Sequence, residues 1–232
     1  MKRWKTKSGY EIIQILSGRS NVFLLTNGDK NVLIDTSVSR LWNRLQQRLK
    51  KLGINNIDYL FLTHAHFDHA ANANRIKSKF NASVIIHKNE VGYLLKGDNI
   101  LPKGTTFITR PMVKVFSKLF SSSLFKYDPC EPDLVVDSYY DLKDIGFHAY
   151  LIHTPGHTIG SMSLIVDDEI AMVGDTMFGV FKWSVFPPYA EDEKIMIKSW
   201  GKLLATNCLI FIPSHGTENF RLLVQKDYKK RL

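Results

Sequence analysis

A short, mostly apolar run at residues 57–62 leads directly into a dense cluster of histidine and aspartate side chains. A run of this length and composition predicts a strand that is buried on both faces. The turn that follows it contains three imidazoles and one carboxylate, from His64, His66, Asp68 and His69. Because side chains alternate along an extended chain, the first two histidines point to the same side. The chain must therefore fold so that several polar donors meet at the end of a buried strand.

This cluster has the chemistry of a metal site. Imidazole nitrogens and carboxylate oxygens are donors suited to zinc, iron, manganese or cobalt. Asp68 and His69 come directly after the first two histidines, so they can face an adjacent point. One cluster can thus contribute to two ions a few ångströms apart, but it cannot complete two coordination spheres. Further donors must come from other parts of the chain.

Three other polar residues share the context of the cluster, since each follows an apolar run and has a glycine beside it. These residues are His157, Asp175 and His215. Functional side chains concentrate on loops at strand ends, so we expect all three to join the cluster. The remaining histidines at positions 87, 148 and 153 lack the flanking glycine and are interpreted as packing or surface residues. A supporting contact to a metal ligand stays an alternative for His153.

The wider pattern predicts an α/β protein. Strand patterns come in groups, with helical patterns between and after them. This grouping predicts two β-sheets packed together with helices outside, not one doubly wound sheet. Strands are predicted at residues 10–17, 21–26, 31–35, 57–62, 84–87, 147–153, 161–166, 170–173 and 209–212. Helices are predicted at residues 38–52, 70–80, 191–205 and 217–228.

The ordered donors resemble those of the metallo-β-lactamase superfamily. The family signature His-x-His-x-Asp-His is matched by residues 64–69, and the order and spacing agree over Asn21–Gly216. The later motifs Thr-Pro-Gly-His and Gly-Asp-Thr and the last histidine are matched by His157, Asp175 and His215. The resemblance implies the α/β fold of the family, a four-layer αββα sandwich with the metals at one edge of the sheets.

The resemblance also implies an assignment of metal ligands. One ion would be held by three histidines and the other by one aspartate and two histidines, with a second aspartate bridging the two. The implied sets are His64, His66 and His157 for the first ion, Asp68, His69 and His215 for the second, and Asp175 as the bridge. The implied cofactors are two divalent metal ions; zinc is expected, with manganese or iron as alternatives.

The function implied by the resemblance is that of a metal-dependent hydrolase using a metal-bridging hydroxide. Asp68 would orient the nucleophile and could pass its proton to the leaving group. The aspartate-bridged set resembles glyoxalase II-like thioesterases, lactonases and phosphodiesterases, so a small ester, thioester, lactone or related carbonyl compound is the expected substrate. Phe178 stands where such lactonases often carry a tyrosine, which weighs against a lactonase. A phosphodiesterase or nuclease, or an iron-dependent oxidoreductase similar to persulfide dioxygenases, stays an alternative.

Residues 1–232 are interpreted as a single domain with an insert at about residues 95–131. Between Asp98 and Asp128 the insert contains no acidic residue, while basic and apolar side chains are interleaved. An insertion of this length usually serves as a lid, a binding loop or an interface. Two interpretations stay open: a lid with a cationic rim over the site, or an interface, either in a homodimer or over a sheet edge. The aromatic segment 178–189 is expected to reach the mouth of the site.

Charge and hydropathy limit the partners. The net charge of +9 fits an anionic substrate, but much of it lies at the two termini, where it more often favours solubility. No nucleic-acid motif accompanies the charge, so nucleic acid is not an expected partner. The sequence contains no apolar run long enough for a membrane span and no recognisable signal peptide. These features predict a cytoplasmic protein that acts on a small molecule.

Overall fold

Two mixed β-sheets form the centre of the protein, in a computed structural model that describes residues 1–98, 103–113 and 125–232. The strands of the first sheet are β1 (Arg3–Lys5), β2 (Glu11–Leu16), β3 (Val22–Thr26), β4 (Asn31–Ile34), β5 (Tyr59–Phe61), β6 (Ser83–His87) and β7 (Leu134–Val136). They lie side by side in chain order. Neighbours from β1 to β4 are antiparallel, whereas those from β4 to β7 are parallel.

The second sheet is formed by the C-terminal half of the chain. Its strands are β8 (Tyr139–Asp141), β9 (Ala149–His153), β10 (Met162–Val166), β11 (Ile170–Gly174), β12 (Ile210–Pro213) and β13 (Asn219–Phe220). They follow one another across the sheet, and each neighbouring pair is antiparallel except β11 and β12. The parallel pair is the one whose carboxyl ends reach the polar cluster.

Helices cover the outer faces of both sheets. They are α1 (Trp42–Lys51), α2 (Phe67–Ala70), α3 (Ala73–Phe80), α4 (Val91–Lys96), α5 (Glu193–Leu204) and α6 (Arg221–Arg231). Helix α1 shows why: Leu45 and Leu49 lie four residues apart on one face and are buried, while its charged residues face outward. No helix within the described ranges is long and apolar enough to cross a membrane.

Three separate clusters of buried side chains define four layers. In β3, Leu24 packs with the helices over the first sheet, whereas its neighbour Phe23 packs between the two sheets. In β11, Met172 lies between the sheets and Val173 packs under α5 and α6. This alternation is the period of an extended strand, and burial on both faces explains why these strands are continuously apolar. The predicted α/β fold, an αββα sandwich, is confirmed.

Several predicted boundaries need correction. The helix predicted at 217–228 begins only at Arg221, because Asn219 pairs with Phe211 and forms the edge strand β13. The helix predicted at 38–52 starts as a 3₁₀ turn at Ser39–Leu41 before α1 begins. Strands β1, β7 and β8 were not predicted; each has three residues, too few to show alternation. The short helix α4 was also missed.

The ends of the central strands from both sheets meet at one edge. The backbone N–H of Met162, at the start of β10, donates to the carbonyl of Thr63, just beyond β5, at 3.0 Å. On the same edge, Ser214 donates to Gly174 at 2.9 Å and Asn21 donates to Ser214 at 2.7 Å. The first bond joins the loop after β5 to the start of β10, and the other two join the loop after β12 to the end of β11 and to the residue before β3. The segments that carry the predicted donors are thereby brought together.

The described parts of the predicted insert are attached beside this edge. Thr105 donates its backbone N–H to Pro188 at 3.0 Å, and Gly104 forms a bridge with Tyr189. Further on, Tyr127 donates its hydroxyl to the carbonyl of Ala65 at 2.7 Å. Residues 99–102 and 114–124 of the insert, with half of its interleaved apolar positions, lie outside the described residues. Its role as a lid or an interface stays a prediction.

Candidate metal centre

The structure brings all seven predicted donor residues together at the shared edge of the two sheets. Within the described ranges, three sets of side chains have donor atoms within 4.8 Å of one another. These sets are His64, His66 and His157; His64, His69 and Asp175; and Asp68, His69 and His215. We call the first set the three-imidazole group and the third the aspartate group. The middle set overlaps both, which makes the cluster continuous.

The three-imidazole group converges on one point. Nδ1 of His66 lies 3.0 Å from Nε2 of His64 and 3.2 Å from Nε2 of His157. Each partner ring is fixed by its other nitrogen: Nδ1 of His64 contacts the Thr63 hydroxyl at 3.0 Å, and that of His157 contacts the Tyr189 carbonyl at 3.0 Å. With a proton on Nδ1 in both rings, the Nε2 lone pairs point into the group.

The aspartate group lies next to it and is more open. Nε2 of His69 is 3.8 Å from one carboxylate oxygen of Asp68, and Nε2 of His215 is 3.7 Å from the other. The side chains of Asp68 and His215 keep 12% and 16% of their surface exposed, whereas His69 is buried. Phe178 stacks on His215 with ring centroids 4.6 Å apart. Solvent therefore reaches this group more than it reaches the three-imidazole group.

Asp175 lies between the two groups. Its Oδ2 atom is 3.2 Å from Nε2 of His215, 3.6 Å from Nε2 of His69 and 3.5 Å from Nε2 of His157. The first two contacts belong to the aspartate group and the third to the three-imidazole group. One carboxylate thus faces both sets of donors, the position that the sequence analysis predicts for it.

Local backbone geometry explains how these donors reach the cluster. His66 is extended and precedes α2, so Asp68 and His69 lie in the first helical turn and turn toward the strand ends. Gly156, before His157, has a φ of +131°, and a Cβ there would lie 2.3 Å from the backbone nitrogen of Met196. A side chain at this position would therefore displace the loop that carries His157. The flanking glycine noted in the sequence has a steric reason.

The donors fit divalent metal ions. Two nitrogens bound tetrahedrally to one zinc, each about 2.0–2.1 Å away, lie roughly 3.3 Å apart; the separations of 3.0 and 3.2 Å in the three-imidazole group are close to this value. Nε2 of His69 and Oδ1 of Asp175 are buried without a hydrogen-bond partner among the described residues. Buried polar atoms without partners are costly, and coordination of a cation would satisfy both.

Electrostatics differ between the groups. Burial lowers the pKa of His64 well below its ordinary value, and the neighbouring imidazoles of His69, His66 and His157 lower it further. Burial also lowers the pKa of His157. These rings are therefore neutral near pH 7, the state that a metal ligand requires. His64 and His157 can therefore bind a cation without first losing protons.

The aspartate group is instead dominated by attraction between opposite charges. Burial alone would lower the pKa of His69, but the carboxylates of Asp175 and Asp35 raise it well above its ordinary value. Burial likewise opposes the charged form of His215, yet Asp175 raises its pKa. Burial would raise the pKa of Asp175 itself, but His215, His69 and His157 hold it well below its usual range. A metal ion here must displace protons.

Asp35 supports the cluster from behind and was not singled out in the sequence. Its fully buried carboxylate accepts from Nδ1 of His69 at 2.8 Å, from the backbone and hydroxyl of Thr63 at 2.9 Å each, and from Ser214 at 3.0 Å. One side chain thereby fixes three segments that carry donors. Asp35 follows the apolar strand β4, so its position at a strand end was the signal that could have identified it.

Glu90 is a second supporting residue that the sequence did not reveal. Its carboxylate, 1% exposed, accepts from the backbone N–H of Ala65 at 2.9 Å, from the Thr158 hydroxyl at 2.7 Å and from the Gly160 N–H at 3.0 Å. Burial raises the pKa of Glu90, and these hydrogen bonds partly oppose that rise. Glu90 therefore joins the loop of His64 and His66 to the loop of His157.

The other three histidines are not members of the donor sets found within the described residues. His87 stacks on His153 with ring centroids 4.0 Å apart, and this pair joins β6 of the first sheet to β9 of the second. Nδ1 of His148 contacts the Asp167 carboxylate at 3.1 Å near the surface. The interpretation of these residues as packing or surface histidines agrees with their positions.

Comparisons with known proteins place the chain among related sequences. The sequence model of the family described as the Metallo-beta-lactamase superfamily matches residues 17–215. A protein of Methanocaldococcus jannaschii described as a probable metallo-hydrolase is 35% identical over 168 residues, which cover 72% of each chain. A hydroxyacylglutathione hydrolase of Haemophilus influenzae is 27% identical over 212 residues, which cover 89% of this chain and 90% of that protein.

Solved structures show the same architecture. A metallo-beta-lactamase superfamily protein from Sulfolobus tokodaii matches with a TM-score of 0.67 at 22% identity, over 94% of this chain and 85% of that one. A B3 metallo-beta-lactamase matches with a TM-score of 0.69 at 22% identity, over 94% and 96% of the two chains. At these identities the likeness concerns the fold alone.

Proposed function

The chain belongs to the metallo-beta-lactamase superfamily and is a metal-dependent hydrolase, and from this premise we propose that it cleaves small thioesters, esters or lactones at a pair of divalent ions. The observation that carries the proposal is the position of Asp175, whose carboxylate faces both donor groups. A shared carboxylate between two adjacent sets of donors is the arrangement that a dinuclear centre requires.

The proposed ligands follow from the two groups. The three-imidazole group holds one ion, the aspartate group holds the second, and Asp175 bridges them. Zinc is the expected metal because five imidazoles and two carboxylates match its preference for nitrogen and oxygen donors. When bound, two such ions lower the pKa of a shared water and polarise a carbonyl oxygen.

The protein's own residues orient the reaction. The Asp68 carboxylate is the exposed acidic group of the cluster, so it can accept a hydrogen bond from the attacking water and direct its lone pair at the carbonyl carbon. The same carboxylate can hold that proton and return it to the departing thiol or alcohol. Phe178, stacked on His215, forms one apolar wall of the mouth. These placements favour a compact substrate with one reactive carbonyl.

The comparisons support a thioester as the first substrate to test. The relative named hydroxyacylglutathione hydrolase aligns over nine tenths of its own length. Its name describes a thioester of glutathione, and thioesters are among the substrates that we propose for the present centre. The identity of 27% leaves the acyl and thiol parts of the substrate open to variation.

The proposal is tested with protein purified without added metal. Elemental analysis should find about two zinc ions per chain, and hydrolysis of an S-acetyl thioester, p-nitrophenyl acetate, a γ-lactone and bis-p-nitrophenyl phosphate should be compared. We expect the thioester or the carboxylic ester to react fastest, with activity lost on chelation and restored by zinc. Fastest cleavage of the phosphodiester would favour the phosphodiesterase alternative. One iron per chain, thiol oxidation and no hydrolysis would overturn the proposal.

A further inference from the structure

We propose that Arg19 determines substrate specificity by binding a carboxylate that the substrate carries a few bonds from its scissile thioester or ester. This inference rests on the proposed function and adds the class of substrate to it. The relevant contacts are those of Arg19 with Asp68 and Phe67, at the open side of the aspartate group.

Arg19 lies directly beside the reactive end of the cluster. Its Nε atom is 3.7 Å from Oδ2 of Asp68, and the same carboxylate oxygen is 3.7 Å from Nε2 of His215. The guanidinium carbon lies 5.4 Å from the centroid of the Phe67 ring. The Phe67 ring therefore favours a position of the guanidinium at the open side of the aspartate group, close to where the scissile bond of a substrate would lie.

The backbone that carries Arg19 is fixed at this place. Arg19 belongs to the loop between β2 and β3, and its neighbour Ser20 is buried. The Ser20 hydroxyl donates to the backbone carbonyl of Asp68 and lies 3.1 Å from the hydroxyl of Ser37. The loop is therefore tied to the same turn that carries Asp68, which keeps the backbone of Arg19 next to the centre.

Much of the binding capacity of this guanidinium is unused. Its side chain is 52% exposed, and no hydrogen bond from it is formed to any residue that the structure describes. A guanidinium offers five N–H donors in a planar fork that matches a carboxylate. The contact of 3.7 Å with Asp68 is too long to be a hydrogen bond. The remaining donors are available to an anion that approaches the open side of the aspartate group.

Charge at the mouth favours the same class of substrate. Asp68 and Asp175 are the two carboxylates of the seven donors, so two divalent ions would leave this donor set positive even with a bridging hydroxide. Arg19 then adds a cation that no carboxylate neutralises fully. A neutral substrate gains nothing from this field, whereas a carboxylate is attracted into the mouth and oriented by the fork. We therefore expect the preferred substrate to be an anion.

The test uses two pairs of thioesters, and the members of each pair differ in charge. They are S-acetyl-3-mercaptopropionate and its amide, together with an acyl-side pair, S-glutaryl-N-acetylcysteamine and its amide. In the wild-type, zinc-loaded protein, kcat/KM should be about tenfold higher for the carboxylate in at least one pair, the effect of a partly exposed charged hydrogen bond. Arg19→Met should abolish this preference, because its kcat/KM should fall about tenfold more for the charged members than for the neutral ones. Arg19→Lys should retain part of it.

The matched control is Arg3→Met. Arg3 is also half-exposed, at 50% of its side chain, but it lies on the edge strand β1 and pairs with Glu11. Its replacement should leave the charge preference unchanged. An equal loss for charged and neutral members in Arg19→Met would mean that Arg19 only positions Asp68, and this result would overturn the inference. No charge preference in the wild-type protein would overturn it as well.

A binding experiment separates this inference from the proposed function. S-acetonyl-3-mercaptopropionate, a ketone that cannot be hydrolysed, and its amide can be titrated calorimetrically into the zinc-loaded protein. Arg19→Met should weaken binding of the carboxylate about tenfold and leave the amide unchanged. This outcome would support Arg19 as an anion-binding residue even if no thioester were cleaved. Equal binding of both ketones by the wild-type protein would contradict it, whatever the activity.

Discussion

The three-imidazole group and the aspartate group lie side by side but differ in charge and exposure. The first contains no carboxylate, and all its members are buried. The second contains Asp68, and two of its three side chains remain partly exposed. The two groups also differ in support. Glu90 ties the loops of the first group together from behind, whereas Arg19 stands in front of the second.

This difference suggests a division of labour within one centre. A buried group of imidazoles, with its loops fixed by hydrogen bonds from behind, is suited to hold an ion permanently. An open group with a carboxylate is suited to meet substrate and to move a proton. We therefore expect the ion of the three-imidazole group to bind more tightly and the reaction to depend most on the aspartate group.

The largest effect is expected from Asp68→Ala. The carboxylate is the proposed proton carrier, and loss of a general acid or base typically lowers kcat by about 10²- to 10⁴-fold. The three-imidazole group does not contain Asp68, so at least one zinc per chain should remain. Thioester kinetics and elemental analysis on the same sample check both statements. Asp29→Ala, at an exposed turn, is the control and should match the wild type; activity retained in Asp68→Ala would contradict the role.

The next effect is expected from Glu90→Gln. An amide cannot accept all three hydrogen bonds that the carboxylate receives, so the loops of Ala65 and Thr158 should lose their alignment. Changes in such supporting contacts lower metal affinity about 10- to 100-fold. The variant should lower the zinc affinity of the tighter of the two binding steps. Competition with a chelator measures both affinities. Glu131→Gln, at an exposed residue, provides the control.

Two results for Glu90→Gln would contradict its role in supporting the three-imidazole group. If the affinity of the weaker step fell and the tighter step were unchanged, Glu90 would support the aspartate group instead. If thermal stability fell while both zinc affinities stayed the same, its hydrogen bonds would serve folding alone. Either result would remove Glu90 from the difference between the two groups.

Lowering the pH should release the metal ions of the two groups at different pH values. In the metal-free protein, carboxylates raise the pKa of His69 and His215, whereas burial lowers the pKa of His64 and His157. A histidine with a raised pKa is protonated at a higher pH, so protons begin to compete with its metal ion at a higher pH. Below that pKa, affinity falls about tenfold per pH unit for each proton displaced. Lowering the pH should therefore release the ion of the aspartate group first, with zinc content passing from two to one before reaching zero.

Zinc content after equilibration at a series of pH values, followed by rapid desalting, measures this order. Activity should be lost with the first ion, since the aspartate group carries Asp68. Simultaneous release of both ions, or retention of activity with one, would show that the groups are not independent.

The smallest effect is expected from Phe178→Leu. The aromatic ring stacks on His215 at 4.6 Å and holds it toward Asp175. Such contacts contribute about 0.5–1.5 kcal/mol, so the weaker zinc affinity should fall about 2- to 10-fold. The tighter affinity should be unchanged in the same titration. Phe220→Leu removes an exposed ring as a control. Equal losses in both steps would show that Phe178 supports the whole edge and not one group.

The sequence predicts the donors well because each stands at a strand end beside a local signal. Residues 64–69 form a continuous motif, and the glycine before His157 is required by its contact with Met196. The four layers were also predictable, since strands buried on both faces read as apolar runs.

The supporting residues could not be found in this way, because their partners are far apart in the chain. Glu90 is separated from Ala65 by 25 residues and from Gly160 by 70, so its three hydrogen bonds have no local pattern. Arg19 lies 49 positions before Asp68, in the short segment between two predicted strands, where no local pattern indicates a function. Contacts of this kind become visible only when the two sheets are brought together.

A stepwise titration of zinc into the metal-free protein, monitored by isothermal calorimetry, tests most directly whether two unequal groups share one centre. Two binding events per chain are expected, the tighter one weakened by Glu90→Gln and the weaker one by Phe178→Leu. A single event with one zinc per chain, or two events that both variants weaken equally, would contradict the division into a holding group and a reacting group.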